Sequence, residues 1–307
     1  MTPRFSIIIP LFNKEYLISD TIQSVLNQTW TNFELLIIND GSTDNSLNVV
    51  SSFEDDRIKV YTTKNQGVSA ARNLGIKNAS GYFIAFLDAD DSWNKFFLES
   101  LNELINLYPN KHVFATALSI ETKKGRYNAT YKNLNIAPDN YDLINYFQGS
   151  LGHSLLQCVN CVISRKAIET IGLFDVTLKT NEDTDYWIRT GLKYPVVFIN
   201  KVLATHRYVK DGLTHSNKFE YAPINYKEYL KLSINNFSAL KFLNKNMYSS
   251  IIKLNLIGDT ITSQKLNQLI DRSLLNRKQK LILALPKFVL KMVVNSYNIV
   301  TNKKRYY

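Results

Sequence analysis

Residues 81–93 read Gly81-Tyr-Phe-Ile-Ala-Phe-Leu-Asp-Ala-Asp-Asp-Ser-Trp93, an apolar β-forming run that ends in three carboxylates, Asp88, Asp90 and Asp91. Such a run is buried on both faces when it lies inside a parallel sheet. Ligands of open α/β sheets sit in the crevice beyond the carboxyl ends of the strands, so the three acids point to a site rather than to a core. Asp88 and Asp90 are two apart, and on an extended chain both side chains reach the same side. Hard carboxylate oxygens so placed suit Mg²⁺ or Mn²⁺, and an ion that keeps open positions holds a diphosphate. Asp91 with Ser92 fits a lesser task, the cap of a helix beginning near Lys95. For the other two acids, like charges packed together without a cation are unfavourable, which favours metal binding over capping.

Outward from this run, strand candidates recur at 5–10, 34–39, 58–62 and 82–88, with helical spacing between them, as in Leu17, Ile18, Ile22, Val25 and Leu26. This is the grammar of helices covering a Rossmann-like, mostly parallel central sheet, an α/β fold. Further strands fit 113–120, 159–164 and 196–202, and 123–152 reads as a loop-rich insertion. Near residues 215–225 the pattern changes to helical spacing with little strand signal. The chain thus divides into an α/β domain over 1–220 and a helical extension over 221–307.

The 307 residues suffice for a full core and carry a net charge of +11. The charge is uneven: from Arg277 onward there are Lys and Arg but no Asp or Glu, among apolar runs that include 281–285 and 288–290. Lys287 and Lys291 stand four apart on one helical face. The tail is too interrupted to span a bilayer; it reads equally as a helix at an anionic membrane interface and as a helix packed on the protein's own core with solvated lysines. Aromatic residues are not interleaved with basic ones, so no nucleic acid partner is expected. Cys158 and Cys161 form the one Cys-x-x-Cys pair and read as buried small hydrophobes rather than a zinc or redox site. No secretory leader precedes the first strand, so the expected location is cytoplasmic, peripheral on the inner face of the cytoplasmic membrane.

Three strand ends finish in polar turns: Pro10-Leu-Phe-Asn-Lys-Glu15, Asn39-Asp-Gly-Ser-Thr-Asp44 and Asp88-Ala-Asp-Asp91. Neighbouring parallel strands bring such ends into one crevice, where Asp40 can accept from a base N–H; alone, Asp40-Gly41 would read as a plain turn. Arg72, in Gly67-Val-Ser-Ala-Ala-Arg-Asn73, lies on a helix able to face that crevice or to make a surface ion pair. Glu182, Asp183 and Asp185 place three acids within four residues, with Asp185 set to pair Arg189 four residues on.

Together with Gly172-Leu-Phe-Asp175 and Asn181-Glu-Asp-Thr-Asp185, these motifs resemble in order and spacing those of family 2 inverting glycosyltransferases with the GT-A fold, over residues 4 to about 215. The resemblance implies transfer of a sugar, with inversion, from a nucleotide diphosphate donor, a UDP-sugar in the first instance, to a hydroxyl of a glycan or lipid-linked acceptor in surface polysaccharide synthesis. It implies donor contacts from Pro10, Phe12, Asn13, Glu15, Asp40, Arg72, Asp88 and Ala89, and a Mn²⁺ or Mg²⁺ site at Asp88 and Asp90. It further implies that 1–220 is a catalytic domain, with a nucleotide-binding half of about 1–91 and an acceptor half of about 92–220, that Asp183 is the base and that Glu182 is an acceptor contact. One departure stands out: Val209 occupies the place where the family's pattern carries a His, leaving His206 and His215 as candidates for the metal or donor loop. Two rivals remain, a non-catalytic nucleotide-binding scaffold of the same shape and a nucleotidyltransferase; the latter lacks the expected Gly-rich phosphate loop after Pro10.

Overall fold

The structure is a computed structural model and describes residues 2–131, 134–208, 221 and 223–293. The chain divides into two compact units, Met1–Phe219 and Glu220–Tyr307.

The first unit opens with β1 (Phe5–Leu11), α1 (Ile18–Leu26), β2 (Phe33–Asn39), α2 (Ser46–Ser51), β3 (Ile58–Thr62), α3 (Val68–Asn78) and β4 (Phe83–Phe86). It continues through β5 (Ser92–Trp93), α4 (Phe97–Leu107), β6 (Val113–Thr122), β7 (Gly125–Asn128), β8 (Tyr141–Ile144), α5 (Tyr146–Gly149), β9 (Cys161–Ser164), α6 (Arg165–Ile171), α7 (Glu182–Lys193) and β10 (Val196–Arg207). The sheet order is β3-β2-β1-β4-β9-β6-β10-β5, with β7 beside β6 and β8 beside β10.

The parallel order holds for β3, β2, β1 and β4 and again for β6 with β10. Every pairing of β9, β7, β8 and β5 is antiparallel, so the expected α/β architecture holds with antiparallel strands joined to its parallel ones. The segment 123–152 is also more ordered than a loop-rich insertion, because it supplies β7, β8 and α5. Its strand residues at 125–128 are all exposed, so no hydrophobic alternation betrays them.

Helix spacing places the core. Ile18, Thr21, Ile22 and Val25 bury one face of α1, and Phe97, Leu98, Leu101, Leu104 and Ile105 one face of α4. Gly75 lets α3 lie close on β1, since a Cβ there would stand 2.3 Å from Cγ2 of Ile8.

At the amino ends of the strands a carboxylate is locked into this core. Glu34, 4% exposed on β2, accepts from Ser6 Oγ at 2.6 Å, from the N–H and Oγ of Ser80 at 2.6 and 2.8 Å, and from Lys59 Nζ at 2.8 Å. Burial alone would raise its pKa, but these donors outweigh it and hold the group at about 2. A depressed folded pKa gives stability that is present above the ordinary value of 4.5 and lost as pH falls toward 2. Urea titrations should therefore show a loss of about 3 kcal/mol across that window. Glu34→Gln should be nearly flat there, and an equal acid slope in the variant would refute the assignment.

The second unit contains α8 (Tyr226–Leu232), α9 (Phe237–Ile257), α10 (Thr260–Leu269), a 3₁₀ turn (Arg272–Leu274) and α11 (Arg277–Ala284), followed by a helical stretch at 287–293. Asn225, Asn236, Asp259 and Asn276 each cap a helix with their side chains, and Gly258 ends α9 at φ 99°. Asn244 of α9 exchanges two 2.8 Å hydrogen bonds with the backbone of Asp271. Among the described residues no helix is long and apolar enough to cross a membrane.

Candidate active site

The carboxyl ends of β1 and β2 are tied together by their own turns. Asn13, in the left-handed region at φ 52°, accepts from Thr43 N at 2.8 Å. Its own N–H donates to Ser42 Oγ at 3.2 Å, and the N–H groups of Lys14 and Glu15 donate to Ser46 Oγ and Asp44 at 2.8 and 3.0 Å. Glu15 accepts from Asn45 N at 2.9 Å. Pro10 lies on β1, and Phe12, 39% exposed, follows it at this turn. Asp40 is buried, and its two carboxylate oxygens accept from Gln66 N at 2.9 Å and Gly67 N at 2.8 Å. Asp40 thus fixes the loop that enters α3, with the second lone pair of each oxygen left for a further donor.

β4 stops at Phe86, short of the expected 82–88, and the acids sit on a turn closed by Asp91 N donating to Asp88 O at 3.0 Å. The expectation of two carboxylates side by side on an extended chain is therefore corrected. Asp88 pairs with Arg72 at 2.7 Å, Asp90 pairs with Lys14 at 2.6 Å, and Ala89 between them is buried. Asp91 is no helix cap either. The N-cap position of α4 is Phe96, and Asn94 and Gln28 accept from its first N–H groups instead. Asp91 is 2% exposed; it accepts from Arg207 N at 2.8 Å and faces Nδ1 of His206 at 3.1 Å. Burial raises Asp91 to about 6, and Asp91 in turn overcomes burial to raise His206 to about 9.

Among the described residues no three His, Cys, Asp or Glu side chains are arranged to hold an ion by themselves. Mg²⁺ needs no such cage: one or two carboxylates, substrate phosphates and water suffice. Asp88 and Asp90 are hard donors already balanced by cationic side chains, and they fit that role. His206 is engaged by Asp91, and His215 and Val209 lie outside the described residues.

The acids of the last motif open α7. Asn181 enters it at φ 63°, and Glu182 Oε1 meets Arg72 at 3.1 Å. Burial first, then repulsion from Asp183, pushes Glu182 up to about 7 in spite of the guanidinium. Arg72 is also held above its ordinary value: burial opposes its charge, and the Asp88 and Glu182 carboxyl groups bonded to it outweigh that cost. The geometry itself shows one guanidinium shared between two acids, Asp88 and Glu182. Asp183 is half-buried, with Oδ1 accepting from Thr184 N at 2.6 Å. Asp185 pairs with Arg189 at 2.9 Å, and Arg189 also donates to the carbonyls of Ile171 and Leu173. The Asp185–Arg189 pair is the one its four-residue spacing indicated. Cys158 and Cys161 are buried free thiols, and burial pushes both pKa values up.

Three features escape a reading of the sequence. Lys14 stands inside the first motif, yet nothing local says that its partner is Asp90. The Asp91–His206 pair spans 115 residues of chain. Asn73 and Phe174 exchange two hydrogen bonds of 2.9 Å through the Asn amide and the Phe backbone, placing the Phe174 ring 5.2 Å from the Arg72 guanidinium. The signal was the presence of Asn73 and Phe174 in two of the motifs.

The glycosyl transferase family 2 model matches residues 6–172. An uncharacterized glycosyltransferase of Rickettsia felis is 33% identical over 237 residues, 74% of this chain and 37% of its own. WfgD of Escherichia coli, a UDP-Glc:alpha-D-GlcNAc-diphosphoundecaprenol beta-1,3-glucosyltransferase, is 52% identical over 89 residues, 29% of this chain and 35% of its own. The match thus spans little more than a third of either relative. The crystal structure of S. aureus TarS 1-349 in complex with UDP-GlcNAc superimposes with a TM-score of 0.60 at 19% identity, over 80% of this chain and 66% of that one. That likeness shows the GT-A fold. Carrying this fold and the family's match across more than half its length, the chain belongs to glycosyl transferase family 2.

Proposed function

We propose that this chain moves a sugar, with inversion, from a UDP-sugar to a hydroxyl of a glycan or lipid-linked acceptor in surface polysaccharide synthesis. The observation that carries the reading is Arg72. One buried guanidinium joins Asp88, at the strand-end turn, to Glu182, in the first turn of α7. Donor-side and acceptor-side acids therefore belong to a single site. The donor named for WfgD and the ligand of the TarS structure favour a UDP-sugar, and the WfgD acceptor favours a lipid-linked one.

In this reading Phe12 and Asp40 receive the nucleoside, the ring by stacking and the carboxylate through its remaining lone pairs. Asp88 and Asp90 would hold Mg²⁺ or Mn²⁺, whose positive charge offsets that of the departing diphosphate. Asp183 takes the proton of the attacking hydroxyl. Glu182, shared with Arg72, orients that acceptor, and burial excludes water from the pair.

Calorimetric titration with UDP, GDP and dTDP, with and without Mn²⁺, tests this. Tight binding of UDP that needs Mn²⁺ and disappears in Asp88→Asn/Asp90→Asn is the expected result. Metal-independent binding in both proteins would favour a nucleotide-binding scaffold, and no binding at all would remove the donor reading.

A further inference from the structure

We infer that the exposed face of residues 287–293, together with α11, docks on an anionic lipid bilayer. Leu290, 1% exposed, anchors the inner side of this helical stretch, and its N–H donates to Pro286 O at 2.9 Å. On the outer side Phe288 is 70% and Met292 65% exposed, and Lys287 and Lys291 are exposed beside them. At 100° per residue these four fall within an arc of about 140°. Two large apolar side chains and the Lys291 side chain thus share one face, with Lys287, whose Nζ lies against Gly258 at the end of α9, at its edge. α11 adds exposed Leu281 beside Lys278 and Lys280.

Charge selects the occupant. Between Arg272 and Val293 there is no Asp or Glu, so a second copy seated on this face would set like charges against one another. A purely aqueous anion would leave Phe288 and Met292 in water. An anionic interface satisfies both halves, because the Phe288 ring and the Met292 thioether enter the acyl boundary while the lysines stay among the headgroups. Crossing is excluded for the described helices by their length and hydropathy. The surface lies wholly in the second unit and stands whether or not the sugar-transfer reading does.

The full chain is to be sedimented with phosphatidylcholine vesicles, with and without phosphatidylglycerol. It should pellet only with the anionic vesicles. Lys287→Glu/Lys291→Glu should lower the partition coefficient by at least about 30-fold, given roughly 1 kcal/mol per lysine near such a surface. Phe288→Ser/Met292→Ser should lower it by about tenfold or more. Circular dichroism melts confirm that each variant is folded. Should a double variant unfold, Lys291→Gln and Met292→Gln carry the comparison, with a loss of about fivefold each. Wild-type protein left in the supernatant, or binding unchanged by either pair, overturns the inference. Loss in the lysine variant alone overturns insertion, and a wild-type dimer dissolved by both pairs overturns the choice of partner.

Discussion

Asp183→Asn is expected to lower turnover by about 10²–10⁴-fold while the affinity for UDP stays within about threefold. The amide keeps the shape of the carboxylate and the Thr184 N–H bond at its oxygen, so the start of α7 should not move. What is lost is the capacity to accept a proton. A hydroxyl that attacks without shedding its proton forms a cationic oxygen, and water or a neighbouring acid is a poor substitute for a positioned base. Glu182 cannot readily take over, because its oxygen is bound to Arg72. Kinetics with a fixed donor separate the cases. A fall in kcat with donor binding intact supports the role, whereas equal loss of binding would make Asp183 a structural cap of α7.

Arg72→Met should cost about 3–5 kcal/mol of folding stability and weaken donor binding as well. Methionine fills much of the volume beneath the Phe174 ring but leaves Asp88 and Glu182 facing each other without the cation that joined them. The loss has a pH signature. Glu182 is raised to about 7 from an ordinary 4.5, so ionising it costs the folded state stability as pH rises through that interval. Without Arg72 its folded pKa climbs further, and the carboxyl escapes the penalty at pH 5 by keeping its proton. The variant's deficit, measured by urea unfolding, should therefore be larger at pH 8 than at pH 5. A deficit of one size at both would assign Arg72 to packing alone. Lysine would not rescue, since a single ammonium does not reproduce the planar fork that reaches both acids.

Much of this was legible in the chain. The two-sided apolar runs of β1 and β2 and the helical spacing of α1 and α4 reflect local periodicity, which survives folding unchanged. The polar turns after those strands were legible as turns, and in the fold the first two are tied together through Asn13 and Thr43. What the sequence concealed was partnership over distance. Asp91 looked like a helix cap because Ser92 and a helix followed it, yet a His more than a hundred residues away claims it. Asp88 and Asp90 looked like a free pair of metal ligands, whereas Arg72 and Lys14 neutralise them in the fold. The antiparallel half of the sheet was hidden because β7 is exposed along its length and β8 nearly so, leaving no hydrophobic alternation to read.

The central claim is inverting sugar transfer from a UDP-sugar, and the anomeric configuration of the first product tests it most directly. Wild-type protein is incubated with Mn²⁺ and a panel of UDP-α-sugars, with water as acceptor, and the released sugar is followed by proton NMR before mutarotation. The account predicts consumption of one donor with the β anomer appearing first, and near silence from Asp183→Asn. The α anomer appearing first, or no donor consumed by wild-type protein that binds UDP, would contradict it.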